Sequence, residues 1–137
     1  MDCADETHHR DETYNRELQP CITFRKGRFG WTAFVGDHNV GSIDRAQCRV
    51  TYLDVHPMHR LQGIGTTLLF LALEDMRATG CEAATVHPGR IRPSDPHPQK
   101  FYEKQGFVVS MPRDPYAETF YEYERKGLGV KMKKDLK

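Results

Sequence analysis

The sequence predicts a mixed α/β (α+β) domain, a sheet with helices packed against it. Three observations carry this expectation. Short runs of β-branched and aromatic residues recur between Cys21 and Val55. A long amphipathic run then follows, and another strand-like run comes directly after it. The strand–helix–strand order favours two parallel neighbours joined by a crossover, whereas the early hairpin favours antiparallel pairs.

Each element has its own warrant. Residues 1–20 mix acids and bases with hardly any apolar residue and read as a polar N-terminal arm, mobile or loosely docked. Residues 21–137 are expected to form a single domain. "CITFRKGRFGWTAFVGDHNVGSID" reads as short strands, with "GDHN" (Gly36 to Asn39) turning "WTAFV" into "VGSID". "CRVTYLDV" (Cys48 to Val55) is a strand that stops at Pro57, which has no N–H to donate. Ile64, Leu68, Leu69, Ala72, Leu73 and Met76 draw one helical stripe, which Phe70 and Leu71 widen. Gly80 is placed to end that helix. "CEAATVHP" follows as a buried strand. "GRIRPSDPHP" is a loop, "PQKFYEKQG" a short helix closed by Gly106, and "FVVSM" a strand. The remainder suits a loop or short helical piece, then a last strand near "GVKMK".

Bulk properties narrow the function classes. At 137 residues the chain can bury a real core. Its net charge of +1 creates no strong field for nucleic acid or membrane. The basic C-terminus with Arg90, Arg92 and Arg113 leaves a nucleic-acid module as the least favoured class. No apolar run is long enough to span a bilayer, and the charged N-terminus lacks the apolar core of a secretory signal. Cys3, Cys21, Cys48 and Cys81 are irregularly spaced, with no C-x-x-C pair. They read as reduced thiols, which points to the cytoplasm. His8 and His9 beside Cys3 lack a second ligand pair, so no metal is expected.

Gly63 and Gly65 raise the central question, because they stand where the helix begins. A glycine-rich turn entering a helix is a good anion site: amides point outward and the dipole adds positive charge. Thr66 and Thr67 add hydroxyls, and His59 and Arg60, just before the turn, can reinforce an anion electrostatically. The competing reading is a helix start loosened for tight packing. Neither the third glycine of a Rossmann fingerprint nor the Gly-Lys-Ser/Thr of a Walker loop is present. Spacing alone leaves both readings open.

"RLQGIG" resembles the pyrophosphate motif of the GNAT N-acetyltransferase superfamily (Gln or Arg, two residues, Gly, any residue, Gly or Ala) at Arg60, Gly63 and Gly65. "LDVHPMHRLQGIGTTLL" is similar to the family's strand, Val-x-Pro and helix entry. "FYEKQGF" resembles its second hallmark, a tyrosine four residues before Gly-Phe. The likeness covers about residues 30 to 111, and the ends only poorly. It implies a mostly antiparallel sheet with a splayed parallel central pair and helices on both faces. It also implies acetyl-CoA as acyl donor. Amides of Gln62, Gly63, Ile64, Gly65, Thr66 and Thr67 would hold the pyrophosphate, and backbone at Leu53 and Val55 the pantetheine arm. The Val55 amide would polarise the acetyl carbonyl.

The implied reaction moves an acetyl group to a primary amine by direct attack in a ternary complex. Tyr102 matches the residue that protonates the thiolate; its competing reading is a core aromatic beside Phe101. The base is open among Asp54, His87 and, as a weaker third candidate, His56. The chain departs from the family in three ways. Too few residues precede "CITF" for the usual strand and two helices, so the acceptor site is open or completed by another chain, as in a homodimer. Asp95 and Pro98 replace the residues that usually open the tyrosine's helix. "HPGRIRPSDPHP" is longer and richer in proline than typical. An open site favours a bulky acceptor such as a protein lysine. A non-catalytic acyl-CoA sensor or adaptor is the alternative.

Overall fold

The computed structural model describes residues 13–16, 21–60, 62–89, 98–111 and 131–137. The chain divides into two compact units: residues 1–46 with 52–75, and residues 47–51 with 76–137.

In the first unit the strands are β1 (Thr13–Arg16), β2 (Ile22–Lys26), β3 (Gly30–Val35), β4 (His38–Ala46) and the end of β5 (Arg49–Val55), adjacent in that order. The registers of β1 with β2, β2 with β3 and β3 with β4 are antiparallel. Alternation places Phe24 opposite Ala33 and Trp31 opposite Ile43, all on the buried face. The β3–β4 register slips between Ala33 and Phe34, so β4 carries one extra residue, Val40. This bulge puts Val40 and Gly41 in the core together.

Bulge and strand end are linked. The carbonyl of Val40 accepts the His56 N–H at 2.8 Å. A Cβ at Gly41 would lie 3.0 Å from the Asp54 carbonyl and 3.3 Å from Val55 Cγ2. Glycine at 41 therefore lets the end of β5 approach closely.

Helix α1 (Ile64–Ala78) spans 15 residues. Its stripe is as expected at Ile64, Leu68, Leu69, Ala72, Leu73 and Met76, each at most 5% exposed. Burying a leucine side chain of this kind contributes about 1.5–3 kcal/mol. Leu71 joins the buried set, but Phe70 is 53% exposed, so the stripe is narrower than predicted there. In the first unit Asp75 fixes the helix against β3: its Oδ2 accepts the Trp31 indole N–H at 2.8 Å, and Lys26 Nζ lies 3.5 Å from Oδ1.

In the second unit the strand order is β5, β6 (Ala83–Val86), β8 (Lys131–Asp135), β7 (Val108–Met111). β5 and β6 are the parallel pair, in register at Arg49 with Thr85 and Val50 with Val86. β8 pairs antiparallel with both β6 and β7. Helix α2 (Gln99–Lys104) lies between β6 and β7 in the chain. Gly80 and Gly106 end the two helices as predicted, each at φ +93°. The expected fold class is therefore what the structure has: a mixed, mostly antiparallel sheet with one parallel pair.

Two expectations need correction. Within the polar stretch 1–20, residues 13–16 are paired strand on the edge of β2, not a loose arm; 1–12 and 17–20 lie outside the described residues. The described cysteines are not reduced thiols. Cys48 and Cys81 form a disulfide, and Cys21 is also disulfide-bonded. No described cysteine is free. Cys48 stands one residue before β5 and Cys81 two before its parallel neighbour β6, and their Cα atoms lie 5.8 Å apart. The loop expected at 90–97 and the ambiguous stretch 112–130 fall outside the described residues.

Candidate active site

The connection from β5 to α1 belongs to the first unit. Pro57 halts the strand, and Pro57–His59 make one 3₁₀ turn. His56 caps that turn, its Nδ1 accepting the Met58 N–H at 3.2 Å. That nitrogen is thereby engaged, which weakens His56 as a base candidate.

Arg60 turns back towards β5. Its Nε donates to the Val55 carbonyl at 3.0 Å, and Nη2 lies 3.6 Å from Asp54 Oδ1. Val55 and Asp54, two residues singled out by sequence, are thus joined to a third through one guanidinium. The Asp54 carboxylate, another base candidate, sits in an ion pair at the strand end. Leu53 lies half-buried on the same strand.

Gly63 adopts φ +78°, a left-handed conformation that L side chains rarely take. Glycine is therefore required by backbone geometry at this turn. Ile64, Gly65 and Thr66 supply the first helical amides, which have no intrahelical acceptor by the geometry of any helix start. The Thr67 N–H, in contrast, donates to the Gly63 carbonyl at 3.0 Å and closes the first turn. The Thr67 amide is therefore already engaged within the helix. No acidic residue occupies the first turn of α1. Beside this turn, His59 Nδ1 and Gln62 Oε1 are buried without a hydrogen-bond partner. Buried polar atoms are nearly always satisfied, so these two call for water or a ligand. The first-turn amides and the dipole of α1 favour an anion at this turn.

Tyr102 and His87 belong to the second unit. Tyr102 is 4% exposed and meets the rings of Phe101 and Phe107 edge-on at 5.2 and 5.5 Å. Burial pushes its phenol well above the ordinary tyrosine range, so it stays protonated. That state suits a proton donor, and the packing equally suits a core aromatic. α2 begins at Pro98 with no side-chain cap bond. His87 is exposed just past β6. Partial burial first, then the charges of Lys131 and Arg49, lower its pKa below 6.5. Its imidazole is neutral near neutral pH and able to accept a proton.

Sequence reasoning overlooked the tie from Arg60 to β5 and the Cys48–Cys81 bond. A clue to the second lay in the chain: Cys48 stands one residue before β5 and Cys81 two before β6. Among the described residues, no cluster of His, Cys, Asp or Glu is arranged to hold a metal ion. No described helix is long and apolar enough to cross a membrane.

Comparison with known proteins gives the family and the fold. The sequence model of the acetyltransferase (GNAT) family matches residues 2–107. The chain belongs to that family, whose acyl donor is acetyl-CoA. Among solved structures it is similar to a GCN5-related N-acetyltransferase from Rhodopseudomonas palustris, with 21% identity and a TM-score of 0.58. That match covers 77% of this chain and 59% of the other. It is also similar to the PaiA N-acetyltransferase of Thermoplasma acidophilum in complex with coenzyme A, at 23% identity and a TM-score of 0.56, over 83% and 60% of the two chains. Ard1 from Thermoplasma volcanium matches at 19% identity and a TM-score of 0.57, over 77% and 69%. The chain thus spans about three-fifths of the first of these proteins. These likenesses concern the fold. No curated protein sequence matches.

Proposed function

We propose that this chain is an acetyl-CoA-dependent N-acetyltransferase acting on a primary amine. The observation that carries the reading is the turn from Arg60 to Thr67. It combines a left-handed Gly63, first-turn amides that no helical carbonyl accepts, and buried polar atoms without partners. Family membership supplies the identity of the anion, the diphosphate of acetyl-CoA.

In the proposed reaction the amine nitrogen attacks the thioester carbonyl. A C–N bond forms, the C–S bond breaks, and the amine loses one proton. His87 is the favoured acceptor of that proton, because its imidazole is held neutral and Asp54 is engaged by Arg60. Tyr102 gives its phenolic proton to the departing thiolate. The Val55 amide polarises the carbonyl oxygen.

The acceptor we propose is an amine on a protein, a lysine in the simplest case. The strands before α1 support this. β2 and β3 are joined by residues 27–29 alone, and no described α-helix precedes α1. Such short connections leave little to enclose a small substrate.

The cytoplasmic setting read from the sequence rested on reduced thiols, and that premise is gone. An oxidising compartment is the setting that the disulfides support.

The test is incubation with acetyl-CoA and amine-bearing proteins, reading thiol release and acetylated residues by mass spectrometry. Release with labelled lysines is expected; no release from any amine would overturn the reading. The deep burial of Tyr102 favours one second reading, a non-catalytic acyl-CoA binder in which this ring is only core. Tyr102→Phe separates the two. Lost turnover with intact CoA binding supports the enzyme, and a parent chain that binds CoA without turnover supports the binder.

A further inference from the structure

The sheet of the second unit has two unlike faces. Its registers pair Arg49 with Thr85, Thr85 with Lys133, and Lys133 with Val108. The same registers pair Val50 with Val86 and Val86 with Met132. Period-two alternation then assigns each side chain to a face. Val50, Ala84, Val86 and Met132 share one face and are at most 4% exposed. The opposite face carries Arg49, Thr85, Lys133 and Val108, with His87 and Lys131 one step further along the same alternation. Arg49, His87, Lys133 and Val108 are exposed there; Thr85 and Lys131 are half-buried.

This second face is basic. Arg49, Lys131 and Lys133 come from separate positions on β5 and β8 and converge around the end of β6. That convergence is felt at His87, where Lys131 and Arg49 both act. The acid on this face among the described residues is Asp135, exposed and 3.9 Å from Lys133. Three cations against one carboxylate contrast with a net charge of +1 for the whole chain.

We propose that the face bearing Arg49, Lys131 and Lys133 docks an acidic stretch of the polypeptide acceptor. This rests on the acetyltransferase reading and specifies its substrate class. Four strands give a surface about 14 Å across, the scale of an extended peptide with its side chains. Carboxylates on that peptide would meet the three cations, and Val108, 64% exposed on the edge strand β7, would meet an apolar neighbour. An amine flanked by carboxylates would then be held beside His87. Nucleic acid fits this face less well: it presents no described Phe, Tyr or Trp for stacking bases, and the chain has no strong basic field.

The experiment reads binding without acetyl-CoA, so that failed catalysis is not mistaken for failed docking. A fluorescein-labelled, glutamate-rich peptide carrying one lysine is titrated with the full chain and followed by anisotropy. Its glutamine counterpart and a single-stranded oligonucleotide are run beside it. The glutamate peptide is expected to bind, and to weaken as salt rises. The double variant Arg49→Gln/Lys133→Gln should weaken it about tenfold. Arg28→Gln, an exposed cation of the first unit, should leave it unchanged. Thermal melting checks that each variant is folded. Equal binding of the glutamine peptide, no loss in the double variant, or an equal loss in Arg28→Gln overturns the proposal. So does tighter binding of the oligonucleotide that depends on the same two residues.

Discussion

Arg60 Nε donates to the carbonyl of Val55 at 3.0 Å, across the turn that separates strand β5 from helix α1. With Asp54 3.6 Å from the same guanidinium, this fixes the start of the loop to the end of the strand. The role is positioning. Hydrogen bonds to charged groups contribute about 1.5–3 kcal/mol, so Arg60→Ala should weaken CoA binding by about tenfold or more. Arg60→Lys should restore little, since a point charge cannot address both partners with the planar fork of arginine. Isothermal titration with coenzyme A checks both variants. An unchanged Kd in Arg60→Ala would mean that the loop holds its shape without the tie.

The two glycines of the loop make separable predictions. At Gly63 the backbone is left-handed, φ +78°, and any Cβ costs about 1–2 kcal/mol. Gly63→Ala should therefore lower thermal stability and CoA affinity together. Gly65 lies inside helix α1, where glycine is the poorer helix former by about 1 kcal/mol relative to alanine. Gly65→Ala should hold or raise Tm. Gly65→Val should leave the fold intact and still weaken CoA binding, because its side chain stands over the first-turn amides. Melting curves with and without CoA separate these effects. A Gly65→Val protein that binds CoA normally would remove the diphosphate from this turn.

The Cys48–Cys81 disulfide closes a segment with a sequence separation of 33. In the chain-entropy account such a closure contributes about 3–4 kcal/mol through the unfolded state. Reduction, or Cys48→Ser with Cys81→Ser, should lower Tm by on the order of 10 °C. The loop from Arg60 to Thr67 lies within this segment, so CoA should raise the Tm of the reduced protein as well. Scanning calorimetry with and without reductant is the measurement. An unchanged Tm would show that the bond carries no stability.

What the sequence made legible follows the range of the interactions. The α1 stripe, the Gly36 hairpin, β5, β6 and the short helix before Gly106 were readable because their patterns repeat within a few residues. The Gly63 turn was readable as a glycine-rich helix entry, but its spacing alone left an anion site and tight packing both open. Strand β1 was not: Thr13–Arg16 has no apolar alternation, and it becomes a strand through backbone pairing with β2. Phe70 was misread because helical spacing alone does not say how wide the buried stripe is. The insertion of β8 between β6 and β7 joins residues far apart in the chain, and no local pattern encodes it. The same holds in the site. The loop's glycines stand out in the sequence, while the partners of Arg60 appear only once β5 and the turn are folded together.

His87 offers a prediction through pH. Its pKa is lowered from 6.5 by partial burial and by the charges of Lys131 and Arg49. A base must be neutral to act, so the acid limb of the kcat/KM profile should lie below pH 6.5. Removing the nearby cations reverses part of the shift. Lys131→Gln and Arg49→Gln should each move that limb to higher pH, while His87→Ala should abolish it and lower kcat by about 10²–10⁴-fold. The sign for stability is also fixed. Between the lowered pKa and 6.5 the unfolded chain binds more protons at this site than the folded one, so acidification there disfavours folding. The pH profile of acetyl transfer, measured with each variant, decides the matter. An acid limb that stays in place when Lys131 and Arg49 are neutralised would assign the base to another group.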